Sequence, residues 1–350
     1  MAKKENSMRS HSDSSKNAIA YFSALALLFS YAEAILPRAF PFFKIGLANA
    51  AMILALRSGK INFFKFMKLS LVKAVASSLM GGTLVTPFFL VSMSQSVSSA
   101  AAMYFLFEVD RRLNKKFDKN FISAYGISVF GSAVSAFVQI SLCALYLGNG
   151  AFSLLGAILI FNTLSGIATA FLGTKISAKI PEPNPELNDD EFCNGKSKRK
   201  PIFSRQRILI TGTAIFSAGV FFASDIRLLF AMFFFALAMQ KLSNRKIKLI
   251  PHIFMWIFIF ASTIPFPNGK IVFSILNFDL TKGALESALQ KSLRLSVVSS
   301  ISQCLIAFSP PTNSVLSLAL FHYKLLRAKF KNANGNIFER IKITFSDERL

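Results

Sequence analysis

Apolar stretches of about 20 residues recur along this chain, separated by short breaks that are basic at every second position in the series. A helix of that length, rising 1.5 Å per residue, matches the roughly 30 Å hydrocarbon core of a bilayer. Hydrocarbon offers no partner to backbone N–H and C=O groups, so such stretches cross it as helices that bond internally. The first runs from Ala18 to Leu36, and others follow at about 45 to 57, 69 to 91, 94 to 107, 121 to 147 and 151 to 174. Of the 350 residues 53% are hydrophobic, 39 are Phe and 16% are charged, which is too little polar material to cover a water-soluble protein of this size. The expected fold is all-α, a polytopic transmembrane helical bundle.

A formal net charge of +23 would suit a nucleic-acid surface. The charges sit instead in the breaks, and those breaks alternate. After the second span come Arg57, Lys60, Lys65 and Lys68; after the fourth, Arg111, Arg112, Lys115, Lys116 and Lys119; after the sixth, Lys175, Lys179, Lys196, Lys198, Arg199, Lys200, Arg205 and Arg207. The breaks after the first, third and fifth spans hold Arg38 and Lys44. Positive charge is retained on the cytoplasmic side. The six-span unit of residues 18–175 is therefore expected to have both ends in the cytoplasm, with a cytoplasmic tail over 1–17 and nucleic acid excluded as a partner. A cleaved signal peptide is the alternative for the first span, because Ala32-Glu33-Ala34 has the small-x-small form of a cleavage site. A first span kept as an anchor is the preferred reading, as multispan proteins usually retain it.

Residues 176–207, with Pro181, Pro183, Pro185, the acidic run Asp189-Asp190-Glu191 and the basic run Lys198-Arg199-Lys200, read as a solvated cytoplasmic linker. A second membrane module follows over 208–330, with apolar runs at about 208 to 224, 228 to 240, 249 to 264, 271 to 278 with 293 to 308, and 314 to 326. That gives four to five spans, the stretch 270 to 294 being amphipathic and suited to an interfacial helix leading into a span. Residues 331–350 form an expected cytoplasmic tail.

Catalytic signatures are not found. Gly195-Lys196-Ser197 lacks the first glycine of a phosphate-binding loop, that position being Asp190. Asp189-Asp190 has no second carboxylate cluster with which to hold a magnesium diphosphate. Cys143, Cys193 and Cys304, and His11, His252 and His322, are scattered, which gives no disulfide framework, no metal set and no nucleophile triad. The chain is expected to be no enzyme and to carry no cofactor, any ATP being used by a partner subunit.

Function is then sought in polar groups within hydrocarbon, where each costs free energy unless it is paired or faces a cavity. Glu33 ends the first span. The following segment contains Pro37 and Pro41, which exclude a regular helix, together with Arg38 and Lys44, and leads through Gly46 and Ala48 to Asn49. It is a candidate wall of a solute-binding cavity. Arg38 and Lys44 either give that cavity positive potential or reach out to lipid headgroups, and Asn49 either contacts solute or bonds a neighbouring helix. Lys73 either reaches the interface or, if deeper, pairs with Glu33. Gln139 and Asn162, in mid-span, suit interhelical hydrogen bonds better than solute contact. Ala124, Ser128, Ser132 and Ala136 form a small-residue seam at four-residue spacing that lets a neighbouring helix approach.

The opening pattern, Glu33-x2-Leu36-Pro37, Phe40-Pro41 and Lys44-Ile45-Gly46-Leu47-Ala48-Asn49, resembles that of the Gx transporter family, also described as heptaprenyl diphosphate synthase component I. Gly82-Thr83, Phe88, Ser92, Ser99, Met103 and Ser165-Gly166 extend the resemblance over about 18 to 175. The family is similar to the substrate-binding S components of energy-coupling-factor importers, which implies a six-span binding module in a bacterial cell membrane with a cytoplasmic N-terminus. A family Arg stands here as Lys73, and a family His-Asn pair as Ser135-Ala136. The second half, from Asp279-Leu280-Thr281-Lys282-Gly283-Ala284-Leu285 through Ser292-Leu293-Arg294-Leu295, with Ser309-Pro310-Pro311 beyond, resembles a shortened T component of the same importers. That resemblance implies contact with cytoplasmic ATPase subunits through Lys282 and Arg294. The substrate-binding set expected from residues and resemblance together is Glu33, Arg38, Lys44, Asn49, Lys73, Gln139 and Asn162, its partners being membrane lipid and a small solute. The family's second description implies a rival role, a membrane subunit supporting polyprenyl diphosphate synthesis.

Overall fold

A computed structural model describes residues 2–35, 46–59, 61–117, 121–177, 203–243, 247, 249–264, 266, 269–275, 278–304 and 314–346. Its first part is a bundle of α1 (Ala2–Ile35), α2 (Ala48–Arg57), α3 (Phe63–Gly81), α4 (Pro87–Phe117), α5 (Ala124–Leu147) and, after a 3-10 turn over Asn149–Leu154, α6 (Leu155–Ser177). The second part holds α7 (Phe203–Phe222), α8 (Ile226–Leu242), α9 (Ile250–Thr263), a hairpin of β1 (Ile271–Ile275) and β2 (Phe278–Thr281), and α10 (Lys282–Gln303). Two last helices, α11 (Val315–Asn332) and α12 (Ile337–Ser346), follow. Among the described residues the fold is all-α save for that hairpin. Most of the expected linker, at 178–202, lies outside the described residues.

Helix starts follow capping chemistry. Ser123 accepts from the backbone N–H of Gly126 to open α5, Asp225 from Arg227 to open α8, Thr281 from Ala284 to open α10, and Ser314 from Ser317 to open α11. The basic connection from α4 to α5 is held by Asp110, whose Oδ1 accepts from Phe121 N and Ile122 N at 3.0 and 2.8 Å.

Two breaks differ from the sequence reading. The division between the expected third and fourth spans, at about residue 92, lies instead at 82–86. There Gly82 takes a left-handed φ of 68°, Thr83 N donates to Ser78 O at 2.9 Å, and Pro87 opens α4. Val85 and the residues from Phe88 to Leu90 are apolar enough to hide that turn in a hydropathy profile. The run 271 to 278, taken as half of a span, and the interfacial helix expected from 270, are replaced at first by a strand pair. Ile271 pairs with Thr281 and Phe273 with Leu280, because Ile-Val-Phe after Gly269 favours extended backbone, and the helix begins at Lys282.

Among the described residues three helices, Pro87–Phe117, Ala124–Tyr146 and Leu155–Lys175, are long and apolar enough to cross a membrane. Shorter apolar helices cover Ala48–Arg57, Thr211–Phe222 and His252–Thr263. Helix length thus supports a membrane protein without reproducing a count of six plus four or five spans. α2, at 10 residues, reaches about 15 Å, half of a hydrocarbon core.

The seam expected on α5 is a helix contact. Ser128 and Ser132 are buried and Ala136 is fully so; the Ser128 hydroxyl donates to Gly166 O at 2.7 Å and meets Thr169 Oγ1 at 2.9 Å. α1 is enclosed by α2, α3 and α11. The last helices thus return to the first: Tyr323, Leu326 and Phe330 of α11 and Ile341 of α12 share the core of the N-terminal bundle, and the Arg327 guanidinium lies over the Tyr31 ring at 4.5 Å.

At the α5–α6 crossing a Cβ on Gly166 would run into Ser132 Oγ and stand 3.1 Å from Val129 Cα and 3.2 Å from Ser128 O, backbone atoms that cannot yield alone. Gly166→Ala is expected to cost about 1–3 kcal/mol, read as earlier unfolding in a denaturant titration in detergent micelles, whereas Gly156→Ala, which meets nothing within 4 Å, leaves the midpoint in place.

Candidate functional site

α2 starts inside the bundle rather than at its edge. Gly46 has a positive φ of 72°, which turns the chain into the helix, and its carbonyl accepts from Asn49 N at 2.7 Å. A Cβ at this glycine would lie 3.3 Å from Ser165 Oγ on α6 and 3.6 Å from Asn49 Nδ2. Further along the same pair of helices, a Cβ on Gly173 would lie 3.4 Å from Ile53. A glycine in the turn before α2 and another on α6 therefore let the two run close together, and they bring Asn49 toward the bundle interior.

From α3, Lys73 reaches the same place. It is 7% exposed, and its Nζ donates to Asn49 Oδ1 at 2.8 Å. An ammonium in hydrocarbon is costly unless its donors are met, so burial and the Asn49 bond belong together. Lys73 lies eight residues before the end of α3, and Ser165 ten residues after the start of α6, so the pair sits about 12–15 Å below the bundle end that carries the α3–α4 and α5–α6 connections. This end is called distal below. One turn toward the α4 side, Ser70 Oγ donates to Ser96 O at 2.7 Å, a polar link between α3 and α4.

Of the expected set, Asn49 and Lys73 are brought together. Lys73 is therefore a buried residue and not an interfacial one. Asn162 is half-buried on α6, one turn distal of Ser165 and on its face by the three-residue spacing. Gln139, half-buried on α5, lies two turns from Ser132 along the seam face. Glu33 is in the last turn of α1, its side chain outside the described residues, and Arg38 and Lys44 lie outside them altogether. Ser165 joins the site from the structure; its one sequence signal was the Ser165-Gly166 element of the family pattern.

The two residues assigned to partner contact are placed differently. Lys282, the first residue of α10, is exposed. Arg294 donates to the Ala223 carbonyl from Nε at 3.2 Å and Nη2 at 2.7 Å, while Gln290 Nε2 donates to Ser224 O at 3.0 Å. Both satisfy carbonyls just past the end of α7, where a cation also suits the helix dipole. The second part carries its own polar links. Trp256 Nε1 donates to Ser296 Oγ at 2.8 Å, Gln240 Nε2 to Gln303 Oε1 at 2.7 Å, and Ser300 Oγ stands 3.5 Å from His252 Nε2. Among the described residues no three His, Cys, Asp or Glu side chains stand together as a metal site would require.

If the Asn49–Lys73 bond fixes the cation, the two residues are energetically coupled. Asn49→Ala is expected to cost about 1–3 kcal/mol, and in a Lys73→Met background the same substitution costs at least about 0.5 kcal/mol less. Chemical denaturation of the four proteins of this cycle checks it, and simple additivity refutes the coupling.

Residues 22–176 match the family described as heptaprenyl diphosphate synthase component I, the Gx transporter family, in agreement with the pattern that runs from Glu33 to Asn49. Residues 205–307 match a domain of unknown function, which gives the resemblance to a T component no further support. No curated protein and no solved structure matches the chain.

Proposed function

We propose, from that family match and from the buried polar pair, that the chain is the substrate-binding subunit of a membrane importer for a small solute. The observation that carries the reading is Lys73 held at mid-depth by Asn49, where α2 begins. Buried ionisable groups at membrane depth are expensive and concentrate along solute and ion paths, and discontinuous helices at the midplane are a recurrent way of building transporter sites. In this reading residues 18–175 form an S-component-like module of six crossings, with Glu33, Arg38, Lys44, Gln139 and Asn162 around the central pair. The location is a bacterial cell membrane with the N-terminus in the cytoplasm, as the alternating charge favours. Energising by ATPase subunits of separate chains, with ATP bound there, belongs to the same reading. Of the two residues expected to meet them, Lys282 is exposed and Arg294 is committed to the end of α7.

Native mass spectrometry of the purified protein tests the reading. The folded wild-type chain is expected to carry a co-purifying small molecule, with occupancy at least about tenfold lower in Asn49→Ala, a change that a loss of about 1.4 kcal/mol in binding would produce. Equal occupancy in the two proteins removes the pair from any binding site.

A second reading draws on the matched family's description, a component of heptaprenyl diphosphate synthase. The chain would then support a soluble prenyl synthase at the membrane, with the catalytic carboxylates in that partner. Membranes containing this chain are expected, on this reading, to raise prenyl chain elongation by the added synthase severalfold over empty membranes, measured by radiolabelled product length. No difference refutes it.

A further inference from the structure

The part of α4 that suits hydrocarbon ends well before the helix does. From Pro87 to Phe107 its 21 residues carry no charge, and at 1.5 Å per residue they rise about 31 Å, the thickness of a hydrocarbon core. Glu108 is the first charged residue, and the helix runs on through ten residues to Phe117, about 15 Å of helix beyond the core. Its neighbours do not follow it. Phe63, the first residue of α3, meets the Tyr104 ring at 5.3 Å, so α3 begins at that depth. The backbone just before α5 is held at the level of Asp110, which accepts from Phe121 N and Ile122 N. Residues 111–117 therefore stand past both neighbours as a projecting arm.

The arm is two-sided. At 100° per residue, Arg111, Arg112, Lys115 and Lys116 fall within one arc of about 140°, and all four are exposed. Asp110 and Phe117 lie on the opposite side, where both meet the return to α5. The nearby carboxylates leave the stripe positive. Asp110 is occupied with two backbone N–H groups, and Glu108 Oε1 accepts from Arg111 Nη2 at 3.0 Å and Arg112 Nε at 3.3 Å, one carboxylate against four cations. Phe117 and Phe121 pack edge-on at 5.7 Å yet remain 54% and 55% exposed, and the Lys116 ammonium stands 5.5 Å from the Phe117 ring. Cations beside uncovered rings suit the border of headgroups and acyl chains, where each meets its own solvent. Helix side chains lean toward the N-terminus. This helix leaves the core by its C-terminus, so the lean turns its Arg and Lys side chains back toward the bilayer. Their Cα atoms stand about 6–14 Å beyond the core, and a headgroup layer is about 5–8 Å thick, a gap that their long stems bridge.

We propose that the arm of residues 111–117 binds anionic phospholipid, its four cations taking headgroup phosphate while Phe117 and Phe121 enter the acyl border. Charge complementarity selects an anion, and the exposed ring pair selects a lipid, because a nucleic acid or an acidic protein surface would meet the cations and leave the rings in water. The arm lies at the end that the charge alternation assigns to the cytoplasm, where the membrane surface potential is negative. An anchor of this kind serves either functional reading and rests on neither.

The test titrates the full chain with phosphatidylglycerol or phosphatidylcholine and counts bound lipid by native mass spectrometry. Phosphatidylglycerol is expected to bind at least about tenfold more tightly, and Arg111→Gln with Arg112→Gln to remove about tenfold or more of its affinity, as the loss of two surface cations implies. Lys115→Gln with Lys116→Gln is expected to act alike from the other end of the stripe. Lys65→Gln with Lys68→Gln, which takes as much charge from the start of α3, is expected to leave the affinity within about twofold. Equal affinity for the two lipids overturns the proposal and leaves the stripe to an acidic protein. Equal losses in the arm and α3 variants also overturn it, since they show a diffuse surface charge. Phe117→Ser with Phe121→Ser is expected to weaken both lipids severalfold, and unchanged binding removes the rings from the site. Excess inorganic phosphate is expected to leave the lipid in place; displacement by it marks a free-phosphate site instead. Neutralising Glu182, Glu186, Asp189, Asp190 and Glu191 of the linker is expected to change nothing, and a severalfold gain in phosphatidylglycerol binding would make that acidic segment the occupant and overturn the lipid.

Discussion

From Ile19 to Phe29 no residue of α1 is more than 4% exposed. A helix that is apolar on every face is stable when it is covered on every face, and α1 obtains that cover from three directions. α2 and α3 follow it directly in the chain, but α11 arrives from beyond the entire second part. The rest of the architecture depends on this enclosure. With α1 as the axle, α2 can be short, because its buried residues from Ala50 to Leu56 pack chiefly on α1 and α6. A short α2 in turn places Gly46 and Asn49 at mid-depth beside Lys73.

The same enclosure joins the two parts of the chain mechanically. α11 is packed on α1, with Arg327 over Tyr31 two residues before Glu33, while α10 touches the distal ends of α3 and α5. The rest of the chain thus holds the first part at its central helix through α11 and at its end through α10. The family match stops at 176 and the second match at 307, so the helices that close the core lie outside both matched regions. A bundle that borrows a helix from the far end of its own chain is not independent of what precedes that helix.

Several features were legible in the residues. The four-residue spacing of Ser128, Ser132 and Ala136 announced a close helix contact, because small side chains at that period leave a groove a second backbone can enter. Asn49 and Lys73 were singled out because polar groups are rare and costly in an apolar run. That Lys73 bonds Asn49 was not legible, because no local pattern relates a residue at the start of α2 to one in the middle of α3. The turn at 82–86 and the strand pair after Gly269 were missed, since hydropathy averages over a window and neither a single left-handed glycine nor a five-residue strand changes that average.

The sequence by itself determined the solvent of this protein and the class of its elements. Apolar length and basic breaks report whether each segment is met by hydrocarbon or by water, and that is a local property of the chain. Tertiary structure alone decided the partners: Ser302 with Val85 across 217 positions, Arg327 with Tyr31, Arg294 with the end of α7. In hydrocarbon the lipid tails are as apolar as the side chains, so hydrophobicity does not choose which helices pair. Shape, small residues and individual hydrogen bonds make that choice, and they act between positions that no local pattern relates.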